Sequence, residues 1–179
     1  MRVIGGQAKG IRLKSIKGIR PISDRAKEGL FNLLGEELRG KRFLDLFAGT
    51  GQVGIEALSR GVERVTFVEK DKKVVEVIRE NLIKTGFKER CEVLDCSVEK
   101  GIKSLHKQNI GFDIIFLGPP QFKNLVNFTL KYLSKYNILE EDGWIIAQHD
   151  RREKVEEKYF NPVKQRRYGD TVFSFLVHR

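Results

Sequence analysis

The chain has 179 residues, 40% of them hydrophobic and 32% charged, with the charges spread along it, which supplies a normal core for one domain and excludes a disordered chain. Lysine and arginine number 34 against 24 acidic residues, a formal charge of +10, which favours a polyanionic partner such as nucleic acid, although a lysine-rich solvated surface gives the same count. No apolar run approaches a membrane span, the start MRVIGGQAKG lacks a signal-peptide stretch, and Cys91, Cys96 and three scattered histidines make no ligand spacing, so the expectation is a cytoplasmic protein with reduced cysteines and no metal.

Residues 1–20 hold six basic residues and four glycines around two short β-like runs, RVIGG and IRLKS, and read as a basic hairpin or arm ahead of the main domain, residues 21–179. Such an arm can order on a partner. In RPISDRAKEGLFNLLGEEL, Pro21 precedes Ser23, a good N-cap, and Ala26, Leu30, Leu33, Leu34 and Leu38 recur at helical spacing, which predicts an amphipathic helix of about four turns.

From residue 41 strand and helix signals alternate. RFLDLF is a strand, GQVGIEALSRG a helix closed by Gly61, RVTFVE a strand, and DKKVVEVIRENLIKTG a helix closed by Gly86. CEVLD, SVEKGIKSLHK, FDIIFL, NLVNFTLKYLSKY and GWIIAQH continue the alternation. This pattern predicts crossover units on a largely parallel sheet covered on both faces. The tail differs: VKQRRYG and TVFSFLV, with only GD between them, call for a tight antiparallel hairpin.

Gly49, Gly51 and Gly54 in FLDLFAGTGQVG lie between a strand and a helix, a turn that brings backbone close to a ligand at the helix N-terminus. The turn alone is a weak signal. Three acids at successive strand ends strengthen it: Asp45, Glu69 and Asp95 line one crevice in an open parallel sheet. Glu69 suits two ribose hydroxyls, Asp95 an adenine amino group, and Asp45 an ammonium met directly or through water. An Asp beside the turn would repel the pyrophosphate of a nicotinamide cofactor, so the set favours S-adenosylmethionine, whose ammonium and sulfonium are both positive.

DLFAGTGQVGIEALSRG, FVEKD, FDIIFLGPP, RPISDRAKEGLFNLL, RRYGDT and the N-terminal RVIGGQAKGIRLKS together resemble the bacterial small-subunit ribosomal RNA guanine-N2 methyltransferases, the RsmD-type enzymes, over nearly the whole chain. DLFAGTG is shared by many methyltransferases; its combination with RPISDRAKEGLFN is far more specific. The resemblance implies an α/β, Rossmann-like methyltransferase fold with a seven-stranded, mostly parallel sheet, S-adenosylmethionine as methyl donor, and small-subunit rRNA or its assembling particle as partner. It also implies a cofactor pocket that includes Phe47, with Ser23 and Arg25 covering its methionine end. A monomer is the default.

Methylases of exocyclic amines usually carry Asp or Asn, two prolines and an aromatic residue after the fourth strand. Here LGPPQF puts Gly118 in place of the acid and Gln121 in the aromatic slot, with Phe122 one place later. Three accounts stay open: transfer through the carbonyls of Gly118 and Pro119, with Pro120 stiffening the loop and Phe122 as the stacking ring; a relative that binds RNA and cofactor without transfer; and an isolated change of little consequence. On the first, restoring an acid at Gly118 raises transfer. A small-molecule methyltransferase is the rival of a different class. Lys9, Arg12, Lys14, Lys17 and Arg20 are the expected phosphate contacts, and Gln148 and His149 are assigned no chemistry.

Overall fold

A computed structural model describes residues 1–179. Helix α1 spans Asp24–Leu34; the Ser23 hydroxyl accepts a bond from the Ala26 N–H at 3.1 Å, so the expected N-cap forms. The expected four-turn helix is interrupted. Gly35 takes φ +51°, a left-handed state that ends the α-helix after three turns, and residues 35–38 continue as a 3-10 turn that still buries Leu38.

The alternating region follows as β1 (Arg42–Leu46), α2 (Gln52–Ser59), β2 (Arg64–Glu69), α3 (Lys72–Thr85), β3 (Cys91–Asp95), α4 (Val98–Lys107), β4 (Phe112–Leu117), α5 (Leu125–Lys135) and β5 (Leu139–Asp150). β5 begins four residues earlier than the apolar run suggests, because the exposed Glu140–Asp142 segment is carried past an irregularity in its pairing with β4. β6 (Asn161–Tyr168) and β7 (Thr171–Val177) form the expected hairpin. One seven-stranded sheet results, ordered β3-β2-β1-β4-β5-β7-β6, parallel through β5, with β7 antiparallel between β5 and β6.

Strand alternation sorts the core onto two faces. Phe43, Ile114, Phe116 and Ile146 join α1, α2 and α3 on one face; Leu44, Leu46, Leu117 and Ala147 join α4 and α5 on the other. The first face therefore also receives Asp45, Gly118 and Gln148, which share the parity of Phe43, Phe116 and Ile146. α2 sits hard on β2: a Cβ at Gly54 would lie 2.3 Å from the Phe67 ring, so only glycine fits there.

Of the hairpin or arm expected from the sequence, the N-terminal segment takes the hairpin-like form, with an antiparallel bridge between Arg2 and Arg12 and backbone bonds from Val3 N–H to the Ile11 carbonyl and from Leu13 N–H to the Met1 carbonyl, and it is docked on the domain rather than loose. Val3, Ala8 and Leu13 are buried in the first-face core. The Glu56 carboxylate accepts the Ile4 and Gly5 N–H groups, both at 2.9 Å, and Ser59 accepts the Ala8 N–H at 2.8 Å. The Asn81 side chain accepts from Lys14 N–H and donates to the Lys14 and Thr50 carbonyls. These side chains satisfy a segment that has little regular structure of its own, which removes the need for a partner to order it.

Glu56 is also the centre of a buried charge cluster. Lys27 and Glu56 have fully buried side chains with nitrogen and oxygen 3.6 Å apart, Arg60 reaches Glu56 at 2.9 Å, and Lys27 donates to the Arg2 carbonyl at 2.7 Å. Burial lowers the Lys27 pKa, and the nearby Glu56 and Asp24 carboxylates oppose that shift.

Candidate active site

β1 and β4 leave the sheet centre in opposite directions of winding, so their carboxyl ends bound a topological switch point. The crevice there is lined by Asp45 in β1, Phe47 and Gly49 after it, Gln52 at the start of α2, Gly118 after β4 and Gln148 in β5, together with Ile19, Arg20 and Ile22. Its enclosed part holds about 80 Å³. A larger groove of about 460 Å³ runs between α3 and the edge strand β3, lined by Leu82, Ile83 and Val93; it lies on the outer edge of the sheet, away from the switch point.

Asp45 is 1% exposed and accepts the Gly54 N–H at 3.0 Å, so it ties the first turn of α2 to β1. Burial pushes its carboxyl well above the ordinary carboxylate range; the Gly54 bond opposes this and the Glu69 charge adds to it. A cation in the crevice would reverse that shift. Glu69 is held by both oxygens, one accepting the Gly49 N–H and the other the Asp71 N–H, each at 3.0 Å, and each oxygen keeps a free lone pair. Asp95 is exposed and lies beside Glu69 in the β2–β3 register. The three acids thus stand at successive strand ends, Asp45 buried and lining the crevice, Glu69 and Asp95 more open and outside its lining.

Gly49 and Gly51 both have left-handed backbones, and so does Phe47 at φ +60°. For an aromatic residue that conformation costs roughly 1–3 kcal/mol, and such strain persists where the surroundings over-determine it. It sits in the turn against the crevice. This donor set suits a cationic adenosyl ligand: a buried acid beneath the turn and a pinned carboxylate on the next strand, with Arg20 the one basic residue lining the crevice.

Ser23 and Arg25 are exposed, and neither lines the crevice; Arg20, expected on the RNA surface, does. Lys9, Arg12, Lys14 and Lys17 are all exposed, and Lys14 pairs with Glu80 at 2.6 Å.

The LGPPQF loop is clasped to the end of β5. Phe122 is 59% exposed, adopts φ +60° and donates its N–H to Glu153 at 2.7 Å, while the other Glu153 oxygen accepts the Asp150 N–H at 2.9 Å. Arg152 lies 5.0 Å above the Phe122 ring and donates to both Asp150 oxygens at 2.7 and 3.0 Å, which holds that carboxyl at about 2. Phe122 stands at the rim and does not line the crevice. A Cβ at Gly118 would lie 2.9 Å from the Phe116 ring and 3.7 Å from the Gln148 carboxamide oxygen. An aspartate there would press on a buried ring, so the simple restoration expected from the sequence carries a packing cost of roughly 1–3 kcal/mol.

Sequence reasoning passed over Gln52 and the Lys27–Glu56 pair, and named Gln148 without assigning it chemistry. Gln148 follows from strand order, which sets it one residue past the Leu117–Ala147 pairing and so level with Gly118. Glu56 had a weaker signal, an acid within the apolar run of α2.

A doubly wound sheet with β7 inserted antiparallel, a glycine turn after β1 and acids at the ends of β1, β2 and β3 is the Rossmann-like fold of the methyltransferase class. Within that class the chain belongs to the RsmD-type family: the family described as conserved hypothetical protein 95 matches residues 1–177. It is 40% identical over 175 residues to YlbH of Bacillus subtilis, provisionally named an rRNA methyltransferase, covering 96% of this chain and 95% of that one. It is 36% identical to ribosomal RNA small subunit methyltransferase D of Haemophilus influenzae, covering 84% of this chain and 79% of that protein. The solved structure of Escherichia coli YhhF, described as a candidate methyltransferase, matches with a TM-score of 0.85 at 27% identity, covering 100% of this chain and 98% of that one. No helix is long and apolar enough to cross a membrane.

Proposed function

We propose that this protein transfers a methyl group from S-adenosylmethionine to the exocyclic amine of a guanine in small-subunit rRNA. The observation that carries the reading is Asp45, a buried carboxylate beneath the glycine turn and across the switch point from the Gly118–Pro119 loop. Asp45 receives the ammonium of the donor, Glu69 the ribose hydroxyls and Asp95 the adenine amino group; Phe47, Gly49 and Gly51 shape the turn, and Ser23 and Arg25 close over the methionine end when the donor is held. The donor supplies an electrophilic methyl on a positive sulfur.

A guanine amino group is a weak nucleophile because its lone pair is delocalised into the ring. The chain's task is therefore to accept its hydrogens, align it and exclude water. The carbonyls of Gly118 and Pro119 serve as acceptors, Pro120 fixes the loop, and Phe122 with Arg152 offers a face for a base turned out of its stack. No strong base is needed, since the amine becomes acidic once methylated. The test is incubation with methyl-labelled S-adenosylmethionine and rRNA lacking the modification; label in the RNA is expected. Binding of donor and RNA without label would favour the non-transferring reading, which the missing acid at Gly118 supports.

Lys9, Arg12, Lys17 and Arg20 have no acidic partner within the protein and are free for phosphate contacts, with Lys14 joining them on exchange from Glu80. Affinity for an rRNA fragment is expected to fall steeply with salt. Converting Lys9 and Arg12 to alanine should lower the log–log salt slope by about 1.4, near 0.7 per lost single-strand phosphate contact. A slope unchanged by both substitutions would remove this segment from the RNA surface and favour a small-molecule substrate.

A further inference from the structure

Gly118 leaves the methyl acceptor without the side-chain carboxylate or amide that such loops usually provide, yet the space in front of it is polar. β4 and β5 are parallel neighbours with Leu117 paired to Ala147, so the next residues, Gly118 and Gln148, emerge level with each other. Parity sends both to the face shared by Phe116, Ile146 and Asp45. The Gln148 carboxamide oxygen lies 3.7 Å from where a Cβ at 118 would stand, and Gln148 makes no side-chain hydrogen bond within the protein. Gln52, 8% exposed, lines the same crevice, and its carboxamide oxygen is the one buried side-chain polar atom in the chain without a partner. Buried polar atoms are nearly always paired, so an orphan that faces a crevice marks a group completed by a ligand.

We infer that Gln148 supplies, from the neighbouring strand, the hydrogen-bond acceptor that Gly118 lacks, and that its carboxamide oxygen takes one N–H of the guanine amine. Gln52 provides a second uncharged acceptor deeper in the same crevice. The glycine and the glutamine are then one arrangement: a Cβ at 118 would press on the Phe116 ring at 2.9 Å and touch the carboxamide oxygen at 3.7 Å, so the acceptor comes from the neighbouring strand. A neutral acceptor also spares the site a third carboxylate beside Asp45 and Glu69, at the cost of a weaker bond to the amine. The inference rests on the proposed guanine substrate, so its test separates recognition of the amine from transfer.

The protein, saturated with S-adenosylhomocysteine, is titrated with a short single-stranded RNA holding one guanosine, and with the same RNA holding inosine, which lacks the amine. Wild type is expected to prefer guanosine by about tenfold, the usual worth of one hydrogen bond to a neutral partner. Gln148→Leu, which keeps the volume, should cut that preference several-fold, leaving only what the loop carbonyls supply, with S-adenosylhomocysteine affinity within twofold. Gly118→Asp in the Gln148→Ala background should restore it, the carboxylate taking over the acceptor role of the carboxamide once the Phe116 ring shifts to admit its Cβ. In the transfer assay Gln148→Leu should be slower by about a hundredfold, as for loss of one oriented group in an active site. Equal binding of both RNAs by wild type, failure to bind either, or a preference undiminished by Gln148→Leu would overturn the inference. A guanosine preference that depends on Gln148 in a protein that transfers no methyl would uphold it and sink the proposed function instead.

Discussion

Replacing Glu56 with alanine lowers the free energy of unfolding by about 3–5 kcal/mol, the usual cost of leaving one member of a buried ion pair alone. The expected loss exceeds that of an ordinary helix substitution because this carboxylate has four partners at once: Lys27, Arg60, and the backbone N–H groups of Ile4 and Gly5. Lys27 is left fully buried without its neutralising charge, and the N-terminal segment loses its anchor. Urea denaturation measures the first effect; amide exchange at Ile4 and Gly5 reports the second and should accelerate strongly. The double substitution Lys27→Met with Glu56→Gln should be less damaging than the sum of its parts by at least about 1 kcal/mol, since it removes both charges and keeps an acceptor for the backbone. A Glu56→Ala protein within 0.5 kcal/mol of wild type, about the scatter of surface substitutions, would show that the cluster does not hold the segment.

The second large effect falls on the donor. Asp45→Asn keeps an oxygen for the Gly54 N–H and removes the charge, so the fold is retained while S-adenosylmethionine affinity drops by about 30- to 100-fold, the worth of a charge-assisted bond of roughly 2–3 kcal/mol. A pH dependence accompanies it. Because burial raises the Asp45 pKa, the free protein keeps this proton to higher pH than an ordinary carboxyl does, and a bound ammonium favours its loss; affinity should therefore rise with pH up to the raised pKa and level off above it. Stability of the free protein has the opposite sign. The folded state binds the extra proton, so this group's contribution falls as pH climbs from the ordinary carboxylate value, about 3.9, through the raised one. Calorimetric titrations across pH, in buffers of different ionisation heat, measure both affinity and proton release. The asparagine variant should show neither the loss at low pH nor the released proton. Equal affinities for the two proteins would place the ammonium elsewhere.

Most of the fold was legible because its signals are local. The β/α alternation, the Ser23 cap, the left-handed Gly86 that closes α3 and the GD hairpin each follow from a few adjacent residues. Departures arose where distant contacts decide. Nothing near Gly35 distinguishes it from a tolerated helix glycine until its backbone turns left-handed. The basic N-terminal segment reads as a loose arm because its anchors, Glu56, Ser59 and Asn81, lie some 50 to 67 residues away. The site divides in the same way. Asp45, Glu69 and Asp95 were visible as acids at strand ends. Gln148 acquires meaning only from strand order, which sets it beside Gly118; Phe122 was visible as a candidate stacking ring, but its clasp by Arg152 and Glu153 was not.

The central claim is that a cationic methyl donor, seated on those strand-end acids, reacts with a guanine amine presented at the β4 loop. Its most direct measurement is nucleoside mass analysis of small-subunit rRNA, unmodified at the outset, after incubation with this protein and S-adenosylmethionine. The account requires one new methyl group per RNA, carried on the exocyclic nitrogen of guanosine and absent with Asp45→Asn. A methyl group on a ring nitrogen, a ribose or another base, or RNA unchanged by a protein that binds the donor, would contradict it.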